Sequence, residues 1–156
     1  MDKSTVVKVL NRDNGAVTYA IPEMNGLRRV FYAGETKEVT LEELEKLSYI
    51  PGGMELLRDS LVIVDNPKIV EHVIGHVEPE YSYTANDVVR LLKSGSLDEL
   101  LDCLDFAPDG VIDLIKNLAV EMPLNDVSKR EAILNKTGFN VDNAIRIKKE
   151  SAEPAK

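Results

Sequence analysis

Two histidines, His72 and His76, have a spacing that could serve metal chemistry. On a helix, side chains four residues apart lie on one face, as they do in many zinc sites. Possible further ligands are Glu71, Glu78 and Glu80. Gly75 lies between the histidines and weakens a helix there. A metal-dependent hydrolase is therefore kept as one hypothesis, but we predict linker histidines, no metal and no cofactor.

A series of carboxylates could bind a divalent cation or supply a paired acid and base. Its members are Asp98, Glu99, Asp102, Asp105, Asp109 and Asp113. On an amphipathic helix, Asp98, Asp102 and Asp105 fall on the face opposite the leucines Leu100, Leu101 and Leu104. We therefore predict a solvated acidic face, with no catalytic residues.

The single cysteine, Cys103, could be a nucleophile only if a base or a positive charge lowered its pKa. Its sequence neighbours are leucines and aspartates, which raise a thiol pKa. We predict a buried, unreactive thiol. With one cysteine no intramolecular disulfide is possible, which fits a reducing compartment.

A basic and aromatic cluster in NGLRRVFYAGE contains Arg28, Arg29, Phe31 and Tyr32. Small β-barrels often bind ligands through such a surface, including nucleic acid. The net charge of -8 disfavours a phosphate backbone and favours arginines that pair with carboxylates. Phe31 and Tyr32 could instead fill the core, and we favour that interpretation.

Two further tyrosines, Tyr81 and Tyr83, are predicted to be exposed in a linker. Tyr and Arg are enriched where protein interfaces concentrate their binding energy. Together with the basic and aromatic cluster, these tyrosines complete the set of predicted interface residues.

The elements that must position these residues begin with a strand-rich part, residues 1–77. VVKVL and AVTYAI flank NRDNG, and Asn14-Gly15 predicts a tight turn, so we predict a hairpin over residues 6–21. RRVFYA, AGET and TKEVT predict a second pair of strands. The SLVIVDN segment predicts a last, buried strand.

A short helix interrupts this strand-rich part. Thr40 and Glu43 have capping-box spacing ahead of LEELEKLSYI, and Pro51-Gly52-Gly53 predicts its end. MELLRDS is predicted to be a turn. The first part is therefore predicted to be a small β-barrel or sheet with one short helical insertion.

A helical part follows a predicted linker at residues 78–83, where Pro79 interrupts regular structure. Caps at Thr84, at Ser96 and at Asn125 or Asp126, with Gly138 as a stop, predict about five short helices over residues 84–150. Residues 151–156 are predicted to be a frayed tail. The predicted fold class is α+β, with a strand-rich domain and a helical domain.

Composition limits the function classes. The 156 residues allow two small cores. We find no apolar run of about 18 residues and no signal segment, so neither a membrane span nor export is expected.

Two long strings, GETKEVTLEELEKLSYIPGGMELLRDSLVIVD and SLDELLDCLDFAPDGVIDLIKNLAVEMPLNDVSKREAI, resemble those of small proteins of tailed bacteriophages, particularly phages of gut bacteria. The likeness spans most of residues 6–147. It implies a virion or assembly role, such as a head-associated, connector or auxiliary capsid subunit, without chemical activity. The expected location is the virion or the host cytoplasm.

Two functions from different classes follow. The first is a non-enzymatic structural or assembly protein, present in several copies or as a homo-oligomer, that docks onto capsid, neck or tail subunits. The alternative is an acidic intracellular inhibitor or adaptor that binds a host protein, where a negative surface could imitate nucleic acid.

Overall fold

Short strands precede a set of helices, and a computed structural model describes residues 1–152. The strands are β1 Val6–Asn11, β2 Val17–Ile21, β3 Leu27–Phe31, β4 Thr36–Thr40 and β5 Leu61–Ile63. A three-stranded antiparallel sheet has the order β4-β1-β5, and β2 pairs with β3 in a separate sheet. The predicted α+β class is confirmed, and the described strands form open sheets instead of a closed barrel.

The predicted hairpin over residues 6–21 is wrong, because β1 pairs with β4 and β5 while β2 pairs with β3. The predicted pairing of the third strand with the fourth is wrong for the same reason. Gly15 lacks the positive φ angle of a tight hairpin turn, whereas Asn25 and Gly26 have φ angles of 58° and 71°. The chain therefore reverses at the second Asn-Gly pair.

The side chain of Asn11 stabilises the connection between β1 and β2, which is not a tight hairpin turn. Asn11 is fully buried at the end of β1. Its amide nitrogen donates to the carbonyls of Gly15 at 2.9 Å and Phe31 at 3.0 Å, and its oxygen accepts from the N–H of Asp13 at 2.9 Å. One buried amide thus satisfies backbone groups of the connection and links the two sheets.

Helix α1, Leu41–Tyr49, begins where the capping motif predicts. The Thr40 hydroxyl accepts from the N–H of Glu43 at 3.2 Å, and the helix ends before Gly52, whose φ is 78°. The segment predicted as a turn is helical instead. It comprises α2 Gly53–Glu55 and a π-helical turn, Leu56–Ser60.

Residues 66–83 contain more regular structure than a linker. Helix α3, Pro67–Val73, is followed by a 3-10 helix, Pro79–Ser82. Tyr81 is only 5% exposed and belongs to the core of the strand-rich part, so the expectation of an exposed Tyr81 is wrong. Independent folding of residues 1–77 and 84–150 about this segment stays a prediction.

Five helices follow in the C-terminal part, as predicted. They are α4 Ala85–Ser94, α5 Leu97–Phe106, α6 Asp109–Glu121, α7 Val127–Thr137 and α8 Val141–Ala152. The side chains of Thr84, Ser96 and Asp126 each accept a hydrogen bond from a backbone N–H three residues later. Gly138 ends α7 with a φ of 77°. Because these caps act within one turn, they are visible in sequence.

Residues 151 and 152 were predicted to belong to a frayed tail, but they are part of α8, so the prediction is wrong for these two residues. Residues 153–156 lie outside the described part of the chain. Buried apolar side chains form two clusters, one within residues 7–81 and one within residues 88–141. Of the described helices, none has the length and apolar character needed to cross a membrane.

Candidate docking groove

The two histidines do not share a helical face. Helix α3 ends at Val73, and Gly75 has a φ of 104°, so the chain turns between His72 and His76. His72 lies 3.7 Å from Glu45, whereas His76 lies 3.7 Å from Glu78. Across residues 1–152, no three His, Cys, Asp or Glu side chains are grouped as metal ligands would be.

The acidic series is exposed along α5 and α6. One member, Asp105, forms an ion pair of 2.7 Å with Lys136 of α7. Cys103 is buried on the opposite face of α5. Burial, helped by the nearby carboxylates of Glu80 and Asp102, raises the pKa of Cys103 to about 12. The thiol is therefore protonated at neutral pH, which is unsuited to nucleophilic attack.

The six predicted interface residues do not form one surface. Arg28 is exposed. Phe31 is fully buried, as expected for a core residue, but Tyr32 is 66% exposed, so the expectation that Tyr32 fills the core is wrong. Tyr83 is half-buried against the helical core. Tyr81 is buried in the other core, and Arg29 is drawn inward by an ion pair.

That ion pair belongs to a buried polar network between β2, β3 and α1. Arg29 donates from Nε and Nη2 to the two carboxylate oxygens of Glu43, at 2.9 Å and 2.8 Å, and the Tyr19 hydroxyl donates to the same carboxylate. Burial and the bond to Glu43 raise the pKa of Tyr19 far above its usual value. The network stabilises α1 on the two-stranded sheet and is closed to a ligand.

A second buried group, Arg12, joins the two parts of the chain. Arg12 is 3% exposed, and its guanidinium donates to the carbonyls of Asp59 and Arg58, both at 2.6 Å, and to those of Tyr81 and Tyr83. The partners are carbonyl oxygens, and the guanidinium also lies 5.7 Å from the centre of the Tyr81 ring. Loss of hydration on burial lowers the pKa of Arg12. No sequence pattern predicted that Arg12 is buried or that it joins the two parts.

Asp59 lies at the contact between the strand-rich part and α6. Its carboxylate accepts from the N–H of Gly110 at 3.2 Å, and burial raises its pKa. A Cβ atom on Gly110 would stand 1.9 Å from the carbonyl oxygen of Asp59. The backbones of the two parts therefore meet closely at a residue that must be glycine.

A cavity of about 410 Å³ lies between the two parts. Its buried polar side chains have internal partners: Asn11 and Arg12 bind backbone carbonyls, and the half-buried Thr84 caps α4. The cavity therefore belongs to the junction, and its buried polar groups are already bonded within the chain.

An open depression of about 580 Å³ lies beside β5, and we call it the β5 groove. Its lining comes from β5, from α3 and from residues 75–82. The apolar lining residues are Ile63, Val64, Pro67, Val70, Val77, Pro79 and Tyr81. The polar and charged ones are Asn66, Glu71, His76, Glu78 and Ser82. The groove thus has an apolar interior and an acidic rim.

The β5 groove follows an outer strand of the three-stranded sheet. The N–H of Ile63 points away from β1 and donates to the Tyr81 hydroxyl at 3.0 Å. Burial raises the pKa of Tyr81, so this hydroxyl stays protonated. Val64, the next residue, is 45% exposed. The lining residues all lie within residues 63–82, and the sequence signal for the groove is the apolar run that continues through Val64.

Glu80 lies between the groove segment and α5. It is 6% exposed, and its Oε2 atom has no hydrogen-bond partner among the described residues. Burial, followed by the proximity of Asp102 and Glu78, raises the pKa of Glu80. This buried carboxyl group does not indicate a ligand site, because the charged groups around it are also negative.

The chain is therefore an α+β protein with two joined cores and one open apolar groove. No protein-family model, curated protein or solved structure matches it.

Proposed function

We propose that this chain is a non-enzymatic docking protein of a tailed-bacteriophage particle, which binds capsid, neck or tail subunits in several copies. The observation that carries the proposal is the β5 groove. It offers open apolar surface to a partner, whereas the buried polar groups Asn11, Arg12 and Glu43 are bonded within the chain. Apolar depressions with a polar rim are typical of protein interfaces.

The junction between the two cores supports the same proposal. Arg12 bonds to backbone carbonyls from residues 58 to 83, and Gly110 contacts the backbone of Asp59. These contacts hold the helical part against the strand-rich part, so that a partner meets a preformed surface. Preformed surfaces lose less conformational entropy on binding.

A second candidate is the acidic inhibitor or adaptor that binds a host protein. The observation that favours it is the exposure of all six acids of the α5 and α6 series, from Asp98 to Asp113. Closely spaced carboxylates can occupy a basic groove that otherwise binds phosphates.

Quantitative mass spectrometry of purified phage particles distinguishes the two. The docking protein is expected in the particles at a fixed copy number that survives a high-salt wash. An inhibitor is expected in infected cells early and not in particles. Absence of the chain from washed particles, combined with early accumulation, would contradict the docking proposal.

A further inference from the structure

We propose that the β5 groove binds a short segment of a partner protein in which apolar side chains are flanked by Lys or Arg. The inference rests on the proposed docking function and names the chemistry of its partner. It depends on three properties of the groove, namely its apolar interior, its acidic rim and the closed edge of β5.

The apolar interior calls for apolar side chains in the partner. Ile63, Val70 and Tyr81 are buried at the base of the groove, and Val64 leaves 45% of its surface in water. Each apolar side chain that a partner buries here contributes favourable free energy in proportion to the area removed from water. A volume of about 580 Å³ accommodates a few such side chains.

The rim supplies the charge preference. Glu71 and Glu78 are exposed on it, and the lining residues include no Lys or Arg. His76 lies 3.7 Å from the carboxylate of Glu78. The whole chain also carries a net charge of -8, which attracts cations from a distance. A cationic segment is therefore complementary to the rim, and an acidic one is repelled.

The closed edge of β5 determines how the segment is held. A peptide that added a strand to the sheet would need the free N–H groups of the outer strand. The N–H of Ile63 is already bonded to the Tyr81 hydroxyl, and β5 is only three residues long. The partner is therefore held by its side chains, and its specificity comes from apolar and positive residues.

Three fluorescent eight-residue peptides test the inference against the full chain. The first is Lys-Leu-Val-Lys-Leu-Val-Lys-Ser, the second has Glu in place of every Lys, and the third has Ser in place of every Leu and Val. Fluorescence anisotropy at low salt is expected to give an affinity at least tenfold higher for the first peptide than for either of the others. Nuclear magnetic resonance shifts are expected at Ile63, Val64 and Val77.

Variants locate the binding on the protein. The double substitution Glu71→Lys and Glu78→Lys is expected to weaken binding of the first peptide at least tenfold. The matched control, Glu121→Lys and Glu150→Lys, changes net charge equally at exposed helical positions and is expected to change affinity less than twofold. Val64→Ser is expected to weaken binding about threefold, since it removes exposed apolar area. Thermal unfolding verifies that each variant is folded.

Several results would overturn the inference. One is an equal loss of affinity for the first peptide in the groove variants and in the control variant. Another is equal affinity for the Lys peptide and the Glu peptide, or no binding of the first peptide at all. A last one is resonance shifts that lie outside the β5 groove. Self-association that Glu71→Lys abolishes, without peptide binding, would make the groove a contact between copies instead. Peptide binding by a chain that is missing from particles would refute the docking proposal alone.

Discussion

The strand-rich part and the helical part of this chain satisfy their polar groups over very different sequence distances. In the strand-rich part Arg12 reaches the carbonyl of Tyr83, 71 residues later, and Glu43 binds Tyr19, 24 residues earlier. In the helical part, Thr84 caps a helix through a residue three positions away. The first architecture therefore depends on a few buried groups. The second combines many small local contributions with a buried lysine, Lys129, which donates to the carbonyl of Leu92 at 2.9 Å.

This difference predicts unequal sensitivity to mutation. Removing one partner of a buried polar contact leaves the other without a hydrogen bond, which costs the desolvation of each orphaned group. Removing an exposed cap leaves its partner accessible to water. We therefore expect larger losses of stability from substitutions at buried polar contacts than from substitutions at helix caps.

The largest effect is expected for Arg12→Ala. It removes the donors to four carbonyls, including those of Asp59 and Tyr81, and leaves a cavity at the junction of the cores. We expect the free energy of unfolding to fall by about 4 kcal/mol, the range found when buried charged partners are removed. Urea unfolding followed by circular dichroism measures it.

Arg58→Ala is the matched control, because Arg58 is exposed and only its backbone carbonyl accepts from Arg12. A loss within about 0.5 kcal/mol is expected for it, as for most surface substitutions. Equal losses in the two variants would mean that the buried guanidinium of Arg12 contributes no more to stability than the exposed side chain of Arg58. The junction would then be maintained by apolar contacts alone.

The same contrast explains which elements could be predicted from sequence. Four helices, α1, α4, α5 and α7, are each preceded by an N-cap residue whose side chain bonds to a backbone N–H three residues later. These caps are Thr40, Thr84, Ser96 and Asp126. The strand pairing could not be predicted in this way. Two Asn-Gly pairs occur, and β1 pairs with β4, about 30 residues on, so of these two pairs only Asn25-Gly26 lies between strands that pair with each other.

The candidate site was less predictable than the fold. The β5 groove takes its lining from a strand, a helix and residues 75–82, and this last segment overlaps the linker predicted at residues 78–83. Of the six predicted interface residues, only Tyr81 lines it, and as a buried residue. Asn11 could have been recognised, because it continues the buried alternation of Val7 and Val9. Nothing local distinguishes Arg12 from a solvated turn arginine.

A second, smaller effect is expected for Glu43→Gln. The carboxylate binds both Arg29 and Tyr19, and the amide cannot accept at both of its ends. Arg29 is half-buried and can regain water, so we expect a loss of about 2 kcal/mol in the free energy of unfolding.

Glu42→Gln, at the neighbouring, partly exposed position, is the control for this charge change and is expected to be nearly neutral. If Glu43→Gln proves no worse than Glu42→Gln, the long-range network is not what stabilises the strand-rich part, and the proposed contrast fails there.

A loss of about 1 kcal/mol is expected for Thr84→Ala, a typical value for a lost N-cap. Thr84 accepts from the N–H of Asp87, and the Asp87 carboxylate accepts in return from the backbone N–H of Thr84. Thr84→Ser retains the hydroxyl and is expected to recover most of the stability. A loss as large as that of Arg12→Ala would show that helix starts matter as much as the junction.

The smallest effect, and the only gain, is expected for Glu80→Gln. Burial raises the pKa of Glu80, so between the unfolded pKa, about 4.3, and the higher folded pKa the folded state holds more protons. Stability from this group is therefore present below the unfolded pKa and is lost as pH rises through the folded pKa. Replacing it with a neutral amide is expected to raise the free energy of unfolding at pH 8 by about 0.5 kcal/mol.

The pH dependence separates this charge effect from a change in packing. Urea unfolding of both proteins from pH 4 to pH 8 is expected to give nearly equal stabilities at pH 4 and a difference that grows in favour of Glu80→Gln as the pH rises. Glu121→Gln, at an exposed position of α6 that does not contribute to the pKa shift of Glu80, is expected to give no such growth. A constant difference across the pH range would mean that Glu80 has the same pKa in the folded and unfolded states, and the charge effect proposed for this residue would then be wrong.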